Sequence, residues 1–315
     1  MTDRSASLPL TWRLLDGLES LVARLWNARF SAATRYLLLA PAVLLVGLLA
    51  IGLVYIGDDS FRELDTSTYR LSEHYTLVNY LTILQKSVYQ DIILRSVAAA
   101  VIVTLITLAL AFPYAYVMVR TPSRLTRKLL LVSLFLPFFI GQVVRAYGWL
   151  IILGKQGLVN QGFALLGLGP FDLIYNYQAV LLGLVQYMLP FAVLMLAPSL
   201  TAIPEEVELA SDGLGANWPR TLWHVVLPMA KPGLVGASVV VFTLTVTDFA
   251  MPEILGGGTI DFIANAIYDG FFQISDAGLG SALAIVLVAL GSSLVALIFT
   301  LLGAGTLSFV ARTEG

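Results

Sequence analysis

Residues 205–234, EEVELASDGLGANWPRTLWHVVLPMAKPGL, lie between two hydrophobic runs and carry the start and stop signals of short helices. Pro204 and the glutamates that follow it predict a helix start, because acidic side chains stabilise the positive end of a helix dipole. Gly215 predicts the end of this helix, since glycine adopts the left-handed conformation at little cost. The stretch therefore begins with a short helix predicted over residues 205–214.

A second short helix is predicted directly after the first. Asn217 is suited to cap its N-terminus, and Pro219 is tolerated in its first turn. Pro228 and Pro232 are predicted to end it. Because two short helices are marginal when isolated, we expect them to dock against a soluble partner protein.

The composition places the chain in a lipid membrane. Of its 315 residues, 58% are hydrophobic and 12% are charged, whereas soluble domains carry about 25% charged residues. The chain has no cysteine and two distant histidines, His74 and His224, which gives no basis for a disulfide, a thiolate nucleophile or a metal cluster. It also lacks a Gly-x-x-x-x-Gly-Lys-Ser/Thr loop, so any ATP must be bound by another polypeptide. The net charge of −2 gives no indication of nucleic-acid binding.

Six membrane spans are the best count for the hydrophobic runs, since each span needs about 20 apolar residues. We place them near residues 36–56, 93–119, 128–153, 177–199, 233–255 and 279–303. Lysine and arginine are concentrated on the side that holds both termini and the 205–234 stretch. By the positive-inside rule, this side is predicted to be cytoplasmic.

The N-terminal segment, residues 1–35, is predicted to be cytoplasmic and to contain an amphipathic helix over residues 9–31. Its leucines fall on one face, and Trp12, Trp26 and Phe30 are suited to anchor it in the membrane interface. A soluble helix packed on a partner is the alternative. Residues 36–311 are predicted to form a single transmembrane domain, with an acidic external segment over residues 58–92.

The 205–234 stretch resembles the cytoplasmic signature loop of ABC importer permeases. The family pattern is Glu-Ala-Ala, three residues, Gly, nine residues, Ile-x-Leu-Pro. From Gly215, nine residues lead to Val225-Val226-Leu227-Pro228. Upstream, Leu209 occupies the family's glutamate position and Glu208 lies one residue earlier, so no specific salt bridge is carried over for that glutamate. We call residues 204–232 the signature loop.

Two spans resemble the spermidine/putrescine-type branch of these permeases. In the third span, Pro137-Phe138 is followed by Arg145-x-Tyr147-x-Trp149. In the fifth span, residues 248–257 read DFAMPEILGG, which is similar to the branch pattern of an acidic residue followed by Phe-x-x-Pro-x-x-Leu-Gly-Gly. The resemblance covers nearly the whole chain beyond residue 36.

This resemblance implies an all-α, polytopic membrane protein with six transmembrane helices and the type I ABC importer fold, preceded by the amphipathic helix. It implies a non-enzymatic permease subunit of the bacterial inner membrane that forms half of a translocation pathway. The implied partners are a second permease subunit (homologous or identical), two ATP-binding cassette ATPase subunits, an external solute-binding protein and membrane lipid. The chain itself would bind no cofactor and no metal, since ATP and Mg²⁺ would be used by the ATPase subunits.

The resemblance also implies that the signature loop couples the permease to its ATPase. The helix over residues 205–214 would sit in a cleft of one ATPase subunit and move with it. Val207, Ala210 and Leu214 have the spacing of an apolar stripe that docks on the ATPase or back on the membrane domain. Trp218 is interpreted as a docking or packing residue. The candidate coupling residues are Glu205, Glu206, Val207, Glu208, Ala210, Leu214, Gly215 and Pro228.

Polar and aromatic residues within the spans are candidates for the substrate pathway, because charges in lipid usually face a cavity or a partner. Asp248 suits a cation and Arg145 an anion, but Arg145 is equally suited to a structural ion pair with Asp248 or Glu253. Pro252 is a candidate break in the fifth span. Aromatic rings can hold an ammonium group, although they are also common at membrane interfaces. The candidates are Arg145, Tyr147, Trp149, Gln186, Tyr187, Asp248 and Glu253.

A polyamine such as spermidine or putrescine is the substrate class that the resemblance favours. Relatives in this branch that carry amino-acid-like compounds or small anions keep those solutes open as alternatives. An ion-gradient-driven secondary transporter, from a different class, would need coupling-ion sites and often has repeated halves, which the sequence does not show. A membrane enzyme would need catalytic side chains clustered at one membrane level, and the sequence shows no such cluster.

Overall fold

The computed structural model describes residue 16 and residues 28–303, with side chains from residue 38 to residue 300. Most of the predicted amphipathic helix over residues 9–31 lies outside this part of the chain. The chain divides into two units, residues 1–56 and 57–315. From residue 28, the first unit consists of helix α1 (Ala28–Ser60), which continues into the second unit.

The second unit is mainly helical. Its helices are α2 (Val78–Gln85), α3 (Ser87–Arg120), α4 (Arg124–Phe135), α5 (Gln142–Leu153), α6 (Leu158–Leu165), α7 (Tyr177–Thr201), α8 (Glu205–Gly213), α9 (Trp218–Thr221), α10 (Leu227–Met229), α11 (Lys231–Val246), α12 (Ala250–Gly256), α13 (Ile263–Tyr268) and α14 (Ala277–Gly303). A 3₁₀ turn follows α4 (Leu136–Phe139), and π turns lie at Leu222–Val226 and Asp269–Gln273.

A small β-hairpin occupies part of the segment predicted to be external and acidic. Strands β1 (Arg62–Asp65) and β2 (Arg70–Tyr75) pair antiparallel, with Asp65 opposite Arg70. Asp65 accepts hydrogen bonds from the backbone N–H and the hydroxyl of Ser67, at 2.9 and 2.6 Å, and these bonds lower the pKa of its carboxyl. The sequence analysis did not predict this hairpin.

Four helices are long and apolar enough to cross a membrane: Leu38–Ser60, Ser87–Arg120, Tyr177–Thr201 and Ala277–Thr300. They match the first, second, fourth and sixth predicted spans. Two further pairs of helices reach span length only as bent pairs, and counting each pair as one span gives up to six. The described residues therefore agree with the predicted number of spans.

The third span is not the continuous helix that was predicted over residues 128–153. The segments Arg124–Phe139 and Gln142–Leu165 meet at a bend of 101°. Pro137 contributes no N–H to a helical ladder, and Gly141 is costly inside a helix, so a break is favoured between them. Ile140 and Gly141 accordingly have extended backbone conformations.

The fifth span, predicted over residues 233–255, is also interrupted. Helix α11 ends at Val246, and α12 begins at Ala250. Pro252 is the third residue of α12, where a proline is tolerated. A continuous helix would instead force its ring against the carbonyl of Asp248, which explains why the break precedes the proline by several residues.

Helices α3, α7 and α11 form the core of the second unit. Small residues at their contacts allow the backbones to approach closely, which is typical of helices packed in membranes. At Gly233 of α11, for example, an added Cβ would lie 2.5 Å from Ser199 Oγ. At Gly183 of α7, it would lie 2.7 Å from Leu255 Cδ1, so α12 also packs tightly on α7. This rigid core positions the signature loop at one end and the two helix breaks within the bundle.

Candidate functional site

The first helix of the signature loop, α8, follows the local signals in the sequence. Its first turn carries Glu205, Glu206 and Glu208. It ends at Gly213, and Gly215 has the positive φ of 84° that favours glycine. The N–H of Ala216 returns to the carbonyl of Ser211 at 3.2 Å, which satisfies an end carbonyl of the helix. The predicted stop at Gly215 is confirmed.

The second half of the loop is less regular than predicted. Asn217 caps α9, since its Oδ1 accepts a hydrogen bond from the N–H of Arg220 at 3.2 Å, and Pro219 lies in the first turn. The prediction that Pro228 and Pro232 end this helix is wrong, because they lie in the first turns of α10 and α11. Pro228 has no N–H to donate to the preceding turn, and a π turn intervenes at Leu222–Val226.

Glu208 points back onto the membrane domain and forms an ion pair. Its Oε1 lies 2.6 Å from Arg120 Nη2 and accepts from Arg120 Nε at 2.8 Å, while Oε2 accepts from the hydroxyl of Tyr116 at 2.6 Å. Arg120 Nη2 also donates to the carbonyl of Ile203 at 2.8 Å. Both charged side chains are only 15% exposed. The shifted glutamate of the signature loop thus does hold a salt bridge, within its own chain.

Several large apolar side chains of the loop are exposed. Leu209, Leu214, Trp218 and Trp223 are 67%, 90%, 57% and 66% exposed. Of the predicted stripe, Ala210 and Leu214 are exposed but Val207 is half-buried. Glu205, Glu206, Gly215 and Pro228 are exposed as well. Trp218 also packs edge-on against Tyr116, with ring centroids 6.1 Å apart, so it combines packing with exposure.

Arg145 lies at the break in the third span and is buried, with 8% of its surface exposed. Its Nη2 donates to the carbonyls of Pro137 and Ile140, the latter at 3.1 Å, and its guanidinium lies 5.0 Å from the ring centroid of Tyr187. The atoms Nε and Nη1 have no hydrogen-bond partner among the described residues. The arginine therefore satisfies carbonyls that the break has freed.

Asp248 lies at the break in the fifth span and is also buried, with 6% exposed. Its Oδ1 accepts from the N–H of Met251 at 2.9 Å, and its Oδ2 accepts from Gln142 Nε2. Because Gln142 begins α5, this contact joins the two broken spans. Gln142 was not among the residues predicted from the sequence, although it lies three residues before Arg145 and thus near the same helix face.

The remaining candidates fall into separate groups. Glu253 is exposed and accepts a hydrogen bond from Asn265 Nδ2 at 2.8 Å. Trp149 Nε1 donates to Gln186 Oε1 at 3.4 Å, and Tyr147 is 54% exposed.

Across the described residues, the structure brings together Arg145 with Tyr187 and Asp248 with Gln142. Arg145 forms no ion pair with Asp248 or Glu253 there, so the structural ion pair that was one interpretation of these charges is wrong.

Comparison with known proteins identifies a protein family and finds solved structures of similar fold. The sequence profile described as "Binding-protein-dependent transport system inner membrane component" matches residues 109–307. The spermidine/putrescine transport system permease protein PotB of Salmonella typhimurium (strain SL1344) is 31% identical over 237 residues, which are 75% of this chain and 81% of that protein.

Two of the structural matches are chains of a bacterial alginate ABC transporter. One comes from a crystal structure of a transporter that imports the acidic polysaccharide alginate. Its TM-score is 0.73 at 16% identity, covering 90% of this chain and 99% of that one. The other is from a complex with a periplasmic protein bound to an alginate pentasaccharide; its TM-score is 0.71 at 17% identity, covering 87% and 96%. At this level of identity the likeness shows the fold.

Proposed function

This chain belongs to the family of binding-protein-dependent transport system inner membrane components, the permease subunits of ABC importers, and we propose that its solute is a polyamine. It is an integral protein of the inner membrane. In the proposed complex it forms half of the translocation pathway beside a second permease subunit. Two ATPase subunits dock on the cytoplasmic side, and an external solute-binding protein delivers spermidine, putrescine or a similar polycation.

The ATPase docks on the signature loop in this proposal. The exposed side chains of Leu209, Leu214 and Trp218 support it, because large apolar residues exposed on a polar loop are typical of a protein interface. The alginate transporter complex, one chain of which has the same fold as this protein, contains a periplasmic protein. This supports an external binding protein as a partner of the present chain. The concentration of lysine and arginine beside the termini and the loop supports their cytoplasmic placement.

One observation carries the choice of solute: Asp248 is a buried carboxylate with no cationic partner among the described residues. A charge in the lipid core costs about 3 kcal/mol or more on insertion scales, so its retention needs a compensating role. A passing ammonium group would supply the missing positive charge. The similarity to PotB points to the same class of solute.

A small anion is the second candidate, and Arg145 is the observation that favours it. Two of its guanidinium nitrogens are buried without a hydrogen-bond partner among the described residues. An anion that entered between α5 and α7 would satisfy both of them. The two candidates make opposite predictions for competition, since polyamines should inhibit uptake in the first case and oxyanions in the second.

Uptake into proteoliposomes tests the proposal. The complex of this chain with its second permease, ATPase and binding protein should accumulate radiolabelled spermidine or putrescine only when ATP is supplied to the ATPase side. ADP is the matched control. Uptake that proceeds without the ATPase would contradict the importer mechanism, and ATP-driven uptake that polyamines do not inhibit would contradict the choice of solute.

A further inference from the structure

The ion pair between Arg120 and Glu208 joins three parts of the chain that are distant in sequence. Arg120 is the last residue of α3, Glu208 lies in α8, and the carbonyl of Ile203 follows the end of α7. Both oxygens of the carboxylate are bound by α3, one by Arg120 and the other by Tyr116. Helix α8 is therefore attached to α3 by side chains and to α7 by the backbone.

The same helix end also holds the second part of the signature loop. Tyr116 and Arg120 are four residues apart and so lie on one face of α3. The ring of Tyr116 meets the ring of Trp218 at the start of α9, with the planes inclined by 64°. Two side chains of α3 thus contact both helices of the loop.

The strength of this attachment follows from its burial. Exposed ion pairs contribute little, but here both side chains are only 15% exposed. The carboxylate accepts two hydrogen bonds, from Arg120 Nε and from the hydroxyl of Tyr116, in addition to its ionic contact with Arg120 Nη2. Separating them would leave a partly buried carboxylate without its counter-charge, which is strongly unfavourable. A force on α8 should therefore displace α3 before it breaks the pair.

We propose that Arg120 and Tyr116 are positioning residues that transmit the movement of the signature loop to α3. This inference rests on the proposed docking of an ATPase on the loop. A displacement of the signature loop by the ATPase would then reach the core helices by two routes. One is the backbone connection of α8 to α7, and the other is the contact of Glu208 with Arg120 and Tyr116 of α3. Because α3 packs on α7 and α11, a displacement of α3 would be passed on to the other two core helices.

Two tyrosines of α3 provide a matched pair of variants. Tyr116→Phe removes the hydroxyl that binds Glu208 and keeps the ring against Trp218. Tyr114→Phe removes a different hydroxyl, one that donates to the carbonyl of Leu130 at 2.6 Å. That hydrogen bond joins α3 to α4 and not to the signature loop. Solute uptake and ATP hydrolysis are measured together in proteoliposomes with spermidine or putrescine as the probe.

We expect Tyr116→Phe to lower the number of solutes carried per ATP, and Arg120→Ala to lower it by about tenfold or more, the factor that corresponds to one charge-assisted hydrogen bond. Tyr114→Phe should leave the ratio unchanged, and the ATPase should still copurify with every variant. Equal ratios for the two tyrosine variants would overturn the inference. Loss of the ATPase from the Arg120→Ala complex would also overturn it, since the pair would then only shape the docking surface.

A distance measurement tests the rigid attachment directly. The chain has no cysteine, so spin labels can be placed on Asp212→Cys in α8 and Val117→Cys in α3, both of which are exposed. The distance between the labels should be the same in the nucleotide-free and ATP-bound complexes, and should change between these states after Arg120→Ala. A distance that changes in the otherwise unaltered chain would show that α8 moves independently of α3.

These outcomes separate the inference from the proposed function. If the unaltered complex carries the probe without ATP, the importer proposal fails. If the unaltered complex is coupled to ATP but the two tyrosine variants behave alike, only the transmission through α3 fails.

Discussion

Replacement of Asp248 by asparagine and by alanine separates two roles that the buried carboxylate combines. It accepts a hydrogen bond from the N–H of Met251 at the start of α12, and another from Gln142. It is also a negative charge available to a cationic solute. Asparagine keeps an acceptor for the N–H of Met251 and can pair with a rotated Gln142 amide, so it removes mainly the charge. Alanine removes the charge and both hydrogen bonds.

The expected magnitudes differ for stability and for transport. Alanine leaves the N–H of Met251, a fully buried residue, without a partner; such a loss costs about 1–3 kcal/mol of unfolding free energy. Asparagine should cost less than this. For transport, a carboxylate about 4 Å from an ammonium group at an effective dielectric constant of about 20 contributes about 4 kcal/mol. Loss of this whole contribution corresponds to roughly a thousandfold, and we expect a decrease in transport of at least tenfold, since water can replace part of the interaction.

The assays are thermal unfolding in detergent and ATP-driven polyamine uptake in proteoliposomes. We expect Asp248→Asn to unfold near the temperature of the unaltered chain but to transport poorly, and Asp248→Ala to be impaired in both assays. Uptake by Asp248→Asn with unchanged KM and maximal rate would refute the role in the pathway and leave Asp248 as a helix cap. Unchanged thermal unfolding of Asp248→Ala would refute the capping role.

Three further substitutions test the loop, the core and the third span. Gly215→Pro should abolish ATP-driven uptake while leaving the chain inserted, because proline cannot adopt the φ of 84°. Gly213→Ala, with open space at its Cβ, is the control and should transport normally. Normal uptake by Gly215→Pro would exclude a coupling role for this turn. Gly233→Ala should cost about 1–3 kcal/mol of stability through its clash with Ser199, and Gly236→Ala on the same helix should not. The two should differ in thermal unfolding, and equal unfolding temperatures would mean that α7 and α11 can separate at little cost. Arg145→Lys should lower the free energy of unfolding by about 1–3 kcal/mol and with it the unfolding temperature, since an ammonium group cannot reproduce the contacts of a planar guanidinium with two carbonyls and an aromatic ring. An unaltered unfolding temperature would show that these contacts do not stabilise the break in the third span.

Local signals in the sequence were sufficient for the first helix of the signature loop and for the start of the second. The glutamates after Pro204, the left-handed glycine at Gly215 and the Asn217 cap each act within a few residues, and the structure has all three. The number of spans was predictable for a similar reason, because hydrophobic length is a property of the chain itself. The prolines at Pro228 and Pro232 were misread because a proline after a helix and one in a first turn look alike in sequence.

Contacts between distant residues could not be predicted in this way. Arg120 and Glu208 are 88 positions apart, and nothing near either residue indicates the other. Leu209 occupies the family's glutamate position, so the family pattern predicts no salt bridge for Glu208. The pair becomes visible only when the packing of α3 on α7 brings the two helix ends together.

Two of the charged residues in the spans, Arg145 and Asp248, lie at the two helix breaks, and the reason is physical. A break in a span leaves backbone groups that cannot bond to water, so a side chain must satisfy them. Arg145 donates to carbonyls at the first break, and Asp248 accepts from an N–H at the second. A charged residue inside a span is therefore evidence for a break as well as for a substrate, and its burial does not distinguish the two. The two roles are distinguished by the interactions that each side chain leaves unsatisfied within the protein. Arg145 has two nitrogens without hydrogen-bond partners among the described residues, and Asp248 has no counter-ion there. Only these unsatisfied groups are available to a passing solute. Their contribution to transport can be measured only with a substitution that keeps the hydrogen bonds to the backbone.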